Sequence, residues 1–475
     1  MKRIALIGLG PHAKRIYYPF LEKLTQNDPD TALELIIDLD INQKTIETFL
    51  KNKKLQPKQI IYLDSSQQIS PNKIHSVAAE ALSKCRINKA ILSTEPKAHK
   101  IYLKECIKLG IDVLSDKPVT APVDLISSVS AASKISEDVS ELVQMLESNS
   151  SRVLVQCQRR NHSGYRQVFE LIDSIVGEYG IPITYMSIHH SDGMWNMPDE
   201  YLYRENHPYK YGYGKLMHSG YHFVDLITGL LQISSTAKDK RPDTVELFSQ
   251  YSKVRDQLGV INAQNYEQFF GAQTAERFAQ DMKNPDIDNF GEVDSYSQIQ
   301  LSSKGTILTT IQLSLIQSGF SQRAWAELPE DAYKSNGRIR HEYVNIHLGP
   351  LASIQIHSYQ SKQIHEQPMA LYDVGENNHF DIYIFRNSNL IGGKAFEKIQ
   401  FGNEDIQQND SESYIGHNEF ARYETLNELI YDKASSTELK THLATNKLLS
   451  EIYKNHARQT SGKIPYSKFE AKEIL

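Results

Sequence analysis

In the stretch GYGKLMHSGYHFVD, residues 212–225, His218 and His222 stand one helical turn apart and Asp225 follows three residues on. Groups at this spacing share one stripe of a helix. Three kinds of chemistry suit such a stripe: binding a metal, moving a proton, or mutual satisfaction in a polar pocket of a core. H-x-x-x-H is a zinc-like spacing. Yet Ser219 stands where zinc proteases carry the glutamate of H-E-x-x-H, and Cys85, Cys106 and Cys157 are all far off in sequence. No metal is therefore expected. Proton transfer is favoured, because histidine titrates near neutrality, and two satisfied core histidines are the plain alternative. The second candidate is Lys117 in SDKPVT. It comes just after an apolar run and before Pro118, which biases it away from helix. A lone lysine is ordinarily solvated, but at the mouth of a strand its ammonium can hold a developing oxyanion.

Elements that place such groups are legible from the N-terminus onward. RIALIGLG is apolar without alternation, as for a strand buried on both faces. It runs into Gly8, Gly10 and Ala13, a G-x-G-x-x-A spacing. The first glycine allows a tight turn, the second leaves room for a pyrophosphate, and the alanine lets a helix pack close. LELIID then ends at Asp38, where a carboxylate can accept both ribose hydroxyls and would repel a 2′-phosphate, so NAD is expected rather than NADP. KAILST, IDVLSDKPVT and RVLVQCQRR continue the strands, with a helix from EPKAHKIYLKECIKLG between them. Strands alternating with helices give a doubly wound parallel sheet, whose ligands sit beyond the carboxyl ends of the strands. The loops after residues 10, 38, 94, 115 and 158 should line one crevice. Cofactor contacts are expected from Gly8, Gly10, Pro11, His12 and Ala13, from Asp38 and Leu39, from Ser93, Thr94, Glu95 and His99, and from Asp116 and Lys117.

After residue 160 the texture changes. PITYMSIHH (182–190), residues 297–314 and residues 344–358 alternate, which predicts an antiparallel sheet. A helix near 215–232 carries the histidines. Residues 253–292 look like a polar helical insertion (about 235–292 in all), 323–338 like a loop insertion, and about 436–460 like a long amphipathic helix. The predicted division is a dinucleotide-binding domain over 1–155 and a substrate domain over 156–435, with the C-terminal helix returning near the first. At 475 residues, 40% apolar and 23% charged, the chain is long enough for two cores. A net charge of −6 without a basic block argues against nucleic acid. No run of eighteen apolar residues is present, so no membrane span is expected. Unspaced cysteines and a first apolar run too short for a signal peptide suggest a reducing cytoplasm.

In combination these motifs resemble the glucose–fructose oxidoreductase / inositol dehydrogenase (Gfo/Idh/MocA) family over most of the chain. GLGPHA resembles its dinucleotide loop. IDVLSDKP resembles its E-K-P motif with Asp116 for the glutamate, and QRRNHSGY its arginine-bearing strand end. GYGKLMHSGYHFVD resembles its G-G-G-x-x-x-D-x-G-x-H motif, and EVDSYSQIQLSSKGTI its Glu-Asp strand. The resemblance implies an N-terminal Rossmann domain, an open antiparallel sheet domain with helical insertions, and a homodimer or homotetramer formed through that sheet. It implies oxidation of a hydroxyl on a sugar, cyclitol or sugar derivative, a small-molecule substrate. Lys117 and His222 match catalytic positions. His218 stands where the family has aspartate, which alters the usual Lys–Asp–His triad.

Oxidising a secondary alcohol needs a base for the hydroxyl proton, a donor for the alkoxide and a carbon facing the nicotinamide. His222 suits the base, Lys117 the donor, and His218 is its catalytic neighbour. Arg160, Arg204, Tyr213 and His218 are candidates for holding the remaining hydroxyls. Two other classes fit the same residues. One is an NAD-binding sensor or scaffold without turnover, favoured by the change at 218. The other is an NAD-dependent hydrolase or lyase working through a transient ketone.

Overall fold

In the computed structural model the described residues are 1–65, 71–205, 207–327, 337–361, 379–401 and 417–475. They divide into two compact units. The first comprises Met1–Ala121, Ser136–His162 and Asn418–Leu443; the second comprises Pro122–Ile135, Ser163–His417 and Ala444–Leu475.

The first unit is built on six parallel strands: β1 (Lys2–Ile7), β2 (Thr31–Leu39), β3 (Gln59–Leu63), β4 (Lys89–Leu92), β5 (Asp112–Asp116) and β6 (Val153–Gln156). Their order, β3-β2-β1-β4-β5-β6, is the Rossmann order, with its switch point between β1 and β4. The unalternating β1 is explained by two cores. Ile4 and Leu6 enter one with Leu33 and Ile36, while Ala5 and Ile7 enter the other with Leu35 and Ile37. Residues 418–443 are integral here. Leu426, Leu429 and Ile430 pack into the first core, Leu439 into the second, and Thr437 pairs with Val155 beyond β6.

The second unit carries nine strands: β7 (Tyr185–Ser191), β8 (Thr244–Ser252), β9 (Asp294–Ser303), β10 (Thr306–Ile316), β11 (Ile339–Leu348), β12 (Ala352–Ser361), β13 (His379–Arg386), β14 (Phe396–Phe401) and β15 (Tyr466–Glu470). Their order is β14-β13-β12-β11-β7-β10-β9-β8-β15. The sheet is antiparallel as expected except at one pair: β7 and β10 pair in parallel, Thr310 opposite Tyr185. Alternation reports one buried face, and it is silent about strand direction. Of the expected insertion at about 235–292, the part from Val254 on is helical, over Val254–Val260, Ala263–Phe270 and Ala272–Asp281, whereas Thr244–Ser252 is β8, a strand of the sheet itself. Tyr266 and Phe278 stack in its own small core with Met197, Tyr201 and Tyr209. Most of the expected loop insertion, 328–336, lies outside the described residues. No helix among the described residues is long and apolar enough to cross a membrane.

Candidate active site

The dinucleotide-type loop joins β1 to the helix Pro11–Arg15, and a second helix, Tyr17–Asn27, follows at once. Gly8 has φ +91°, and a Cβ there would lie 2.4 Å from the Ser93 carbonyl oxygen, so only glycine fits. Gly10 differs. A Cβ there would meet nothing within 4 Å, so the protein's own packing does not demand glycine. A close-lying ligand would. Asp38, at the end of β2, organises the loop: one carboxylate oxygen accepts from Leu9 N at 2.6 Å, the other from Leu39 N at 2.7 Å and Asn42 Nδ2 at 2.8 Å. The carboxylate at this strand end is therefore fixed against the glycine turn. Ala13 is buried behind it.

A second cluster joins the exits of β4 and β5. Asp116 accepts hydrogen bonds from the Tyr17 hydroxyl and, at 2.6 Å, from Ser93 Oγ, and His12 Nε2 lies 3.7 Å away. Burial lowers the His12 pKa to about 4 despite the pull of Asp116, so the ring is neutral at pH 7. His99 is fully buried, with one ring nitrogen 2.8 Å from the Pro118 carbonyl and the other 3.0 Å from that of Thr94. It pins the loop after β4, which includes Glu95, to the loop after β5. Lys117, half-buried, follows Asp116 and is joined to Pro118 by a cis peptide bond. Arg160, in the same unit, donates to the Ser436 carbonyl at 2.6 Å, to the Thr441 carbonyl at 3.1 Å and to the Thr441 hydroxyl. These contacts tie the exit of β6 to residues 436–441.

In the second unit the histidine motif departs from a plain helix. Leu216–Gly220 forms a π turn, and only Tyr221–Ser234 is α-helical. The wider turn changes the angular spacing of His218 and His222 from that of a continuous α-helix. His218 is half-buried, its ring edge-on to Tyr209 at 5.2 Å and to Tyr213 at 5.8 Å, with His207 at 5.0 Å. His222 is buried. Asp225 accepts from Thr445 Oγ1 at 2.8 Å, which joins the helix to the C-terminal helix Leu443–Thr460. Arg204 reaches Met194 Sδ at 3.3 Å and Asn196 Oδ1 at 3.4 Å. Among the described residues no group of three His, Cys, Asp or Glu side chains is disposed to hold a metal.

Two features of this unit escaped the sequence reading. Lys215, within the motif, is fully buried in an ion pair with Asp192, and desolvation lowers its pKa to about 8. Glu292 is also fully buried. Its Oε1 accepts from Leu216 N and the Tyr453 hydroxyl, both at 2.8 Å, which caps the π turn, and burial raises its pKa to about 7. The sequence held faint signals of both: a lysine at the start of the histidine motif, and an acid just before a strand.

A glycine turn at the switch point of a 3-2-1-4-5-6 sheet, with an acid at the end of β2, defines a dinucleotide-binding domain. Residues 2–157 match the GFO_IDH_MocA model, described as an oxidoreductase family with an NAD-binding Rossmann fold. Among solved structures, the fold is shared with aldose-aldose oxidoreductase from Caulobacter crescentus, at 12% identity, 99% coverage of both chains and a TM-score of 0.54. It is shared with the WlbA dehydrogenase from Bordetella pertussis, crystallised with NADH and UDP-GlcNAcA, at 14% identity, 99% coverage of both chains and a TM-score of 0.52. A 3-ketoreductase from Actinomadura kijaniata, in complex with NADP and TDP-benzene, is 12% identical over 95% of this chain and 96% of that one, with a TM-score of 0.53. No curated protein matches the sequence.

Proposed function

We propose that the protein is an NAD-dependent dehydrogenase that transfers a hydride between the nicotinamide and a hydroxyl-bearing carbon of a sugar, cyclitol or sugar derivative. The observation that carries this is the cradle around Gly8 and Gly10, with Asp38 locked at the strand end. Gly10 gives the pyrophosphate room that packing does not require, and the fixed carboxylate suits a ribose diol and opposes a 2′-phosphate. Pro11, His12, Ala13, Leu39, Ser93, Thr94, Glu95, His99 and Asp116 complete the set of residues that would hold the cofactor. NAD supplies the hydride acceptor. The chain's own residues then divide the remaining work. Lys117 donates a hydrogen bond to the substrate oxygen as negative charge builds there. His222 accepts the hydroxyl proton. His218, on the π turn capped by Glu292, sets the electrostatic surroundings of that proton, and Arg204, Tyr213 and Arg160 orient hydroxyls.

Sugar-type substrates are supported by the structural neighbours, an aldose-aldose oxidoreductase and a dehydrogenase crystallised with a nucleotide-linked sugar acid. A homodimer or homotetramer through the second unit's sheet belongs to the same proposal. The face bearing Tyr185, His189, Tyr343 and His357 is aromatic and half-exposed, with the Tyr343 and His357 rings 4.8 Å apart. A sensor that binds NAD without turnover is the second reading, favoured by the histidine at 218. Fluorescence titration with NADH and NADPH, followed by turnover assays, tests the proposal; tighter NADPH binding would refute the cofactor assignment.

A further inference from the structure

Two groups of the first unit compete for one oxygen. Tyr17, fully buried at the start of helix Tyr17–Asn27, donates its hydroxyl to Asp116 Oδ1, and His12 Nε2 stands 3.7 Å from that same oxygen. That separation is longer than a hydrogen bond. Ser93 Oγ, at the exit of β4, occupies Oδ2 at 2.6 Å. Both carboxylate oxygens are thus engaged by neutral hydroxyls. Burial holds the Tyr17 phenol protonated, well above its ordinary range, so it remains a donor.

The groups around His12 explain why its ring stays neutral. Burial works against a second proton. Asp116, at the end of β5, attracts one, while Arg422 on helix His417–Ile430, Arg15 on the same short helix as His12 and Lys117 after β5 repel it. The Asp116 side chain is 18% exposed at the carboxyl end of its strand, where the ligands of a doubly wound sheet lie. A ligand there meets a carboxylate that no imidazolium cancels. Of the two forms of a nicotinamide cofactor, only the oxidised ring is positive, so a carboxylate in the crevice favours that form. Without the Tyr17 hydroxyl, Oδ1 would be open to His12. An imidazole that donates to a carboxylate holds its second proton more strongly.

We propose that Tyr17 is a positioning residue: by taking Oδ1 it keeps His12 from pairing with Asp116, and so leaves at the crevice a carboxylate that favours the oxidised, positively charged nicotinamide over the reduced one. This rests on the dehydrogenase reading for the cofactor, but the competition for Oδ1 is tested without one. NMR titration of the full chain, labelled at histidine, follows the His12 signal, identified by its loss in His12→Asn. Its midpoint, about 4 in the wild type, should rise by about one pH unit or more in Tyr17→Phe. Ser93→Ala, which vacates the other oxygen, should move it less. Dissociation constants for NAD and NADH at pH 5.5 and pH 8 read the second half of the proposal, with thermal melts showing the variants folded. Asp116→Asn should weaken NAD relative to NADH by about threefold or more. Tyr17→Phe should match the wild-type ratio at pH 8 and move toward the Asp116→Asn value at pH 5.5, while the wild-type ratio stays flat. An unmoved His12 midpoint in Tyr17→Phe, or an unchanged ratio in Asp116→Asn, would overturn the proposal. A raised midpoint in a protein that binds neither nucleotide would instead remove the dehydrogenase reading and leave the competition for Oδ1 standing.

Discussion

Glu292→Gln isolates a charge that the fold buries beneath the histidine motif. Burial raises the Glu292 pKa from 4.5 to about 7, with the Tyr453 hydroxyl and Leu216 N opposing that rise. The sign follows from linkage. The unfolded chain ionises first, so stability is fullest below pH 4.5 and is lost as pH climbs to about 7. At about 1.4 kcal/mol for each pH unit, the loss is roughly 3 kcal/mol. Glutamine keeps an amide oxygen for Leu216 N and Tyr453 and cannot ionise. Its NH2 occupies the side of Oε2, which has no partner in the folded protein. Below pH 5 the variant should match the wild type within about 1 kcal/mol. At pH 8 it should be more stable by up to about 3 kcal/mol, or roughly 6 °C in Tm for a unit of this size. Thermal melts of both proteins from pH 4.5 to 9 provide the assay. A stability difference that does not change with pH, or a glutamine variant less stable at pH 8, would refute the account of Glu292 as a carboxyl ionised at a cost.

Other outcomes follow from the cradle and the motif. Asp38→Ala should relax the preference for NAD over NADP and loosen the glycine turn through loss of the Leu9 N contact, measured as the ratio of the two dissociation constants. Lys117→Ala should lower kcat by a factor of about 10² to 10³ while NADH binding stays within about tenfold; near wild-type kcat would remove the lysine from the chemistry. His222→Ala should lose most activity and His218→Ala less. His218→Asp should move the acidic limb of kcat/KM to higher pH, because a carboxylate stabilises an imidazolium beside it; an unshifted limb would separate the two side chains functionally.

Much of the first unit was legible because its signals are local. Unbroken apolar runs, a glycine turn and an acid at a strand end each report a neighbourhood of a few residues, and β1, β2, β4, β5 and β6 follow from them. Helix His417–Ile430 was not legible as part of this unit, since its apolar residues fill a core made by strands that lie far earlier in the chain, from Ile4 to Leu154. In the second unit alternation located β7 and β9 to β12, but the parallel pairing of β7 with β10 depends on chain path rather than pattern. The π turn at Leu216–Gly220 has no periodicity of its own, so the histidines read as ordinary helix neighbours. The ion pairs of Asp192 with Lys215 and Arg338 draw on β7, the π turn and β11, three segments far apart in sequence, and no spacing rule reaches across them.

The central claim is hydride transfer to bound NAD from a sugar-type alcohol. A single turnover panel tests it most directly: wild-type protein with NAD, neutral sugars, cyclitols, uronates and sugar phosphates, followed by NADH absorbance, with Lys117→Ala run beside it. The account predicts NADH formation with at least one of these classes and its near-disappearance in Lys117→Ala. Stoichiometric NAD binding with no reduction across the panel would contradict it, and would mark the chain as a cofactor-binding protein without turnover.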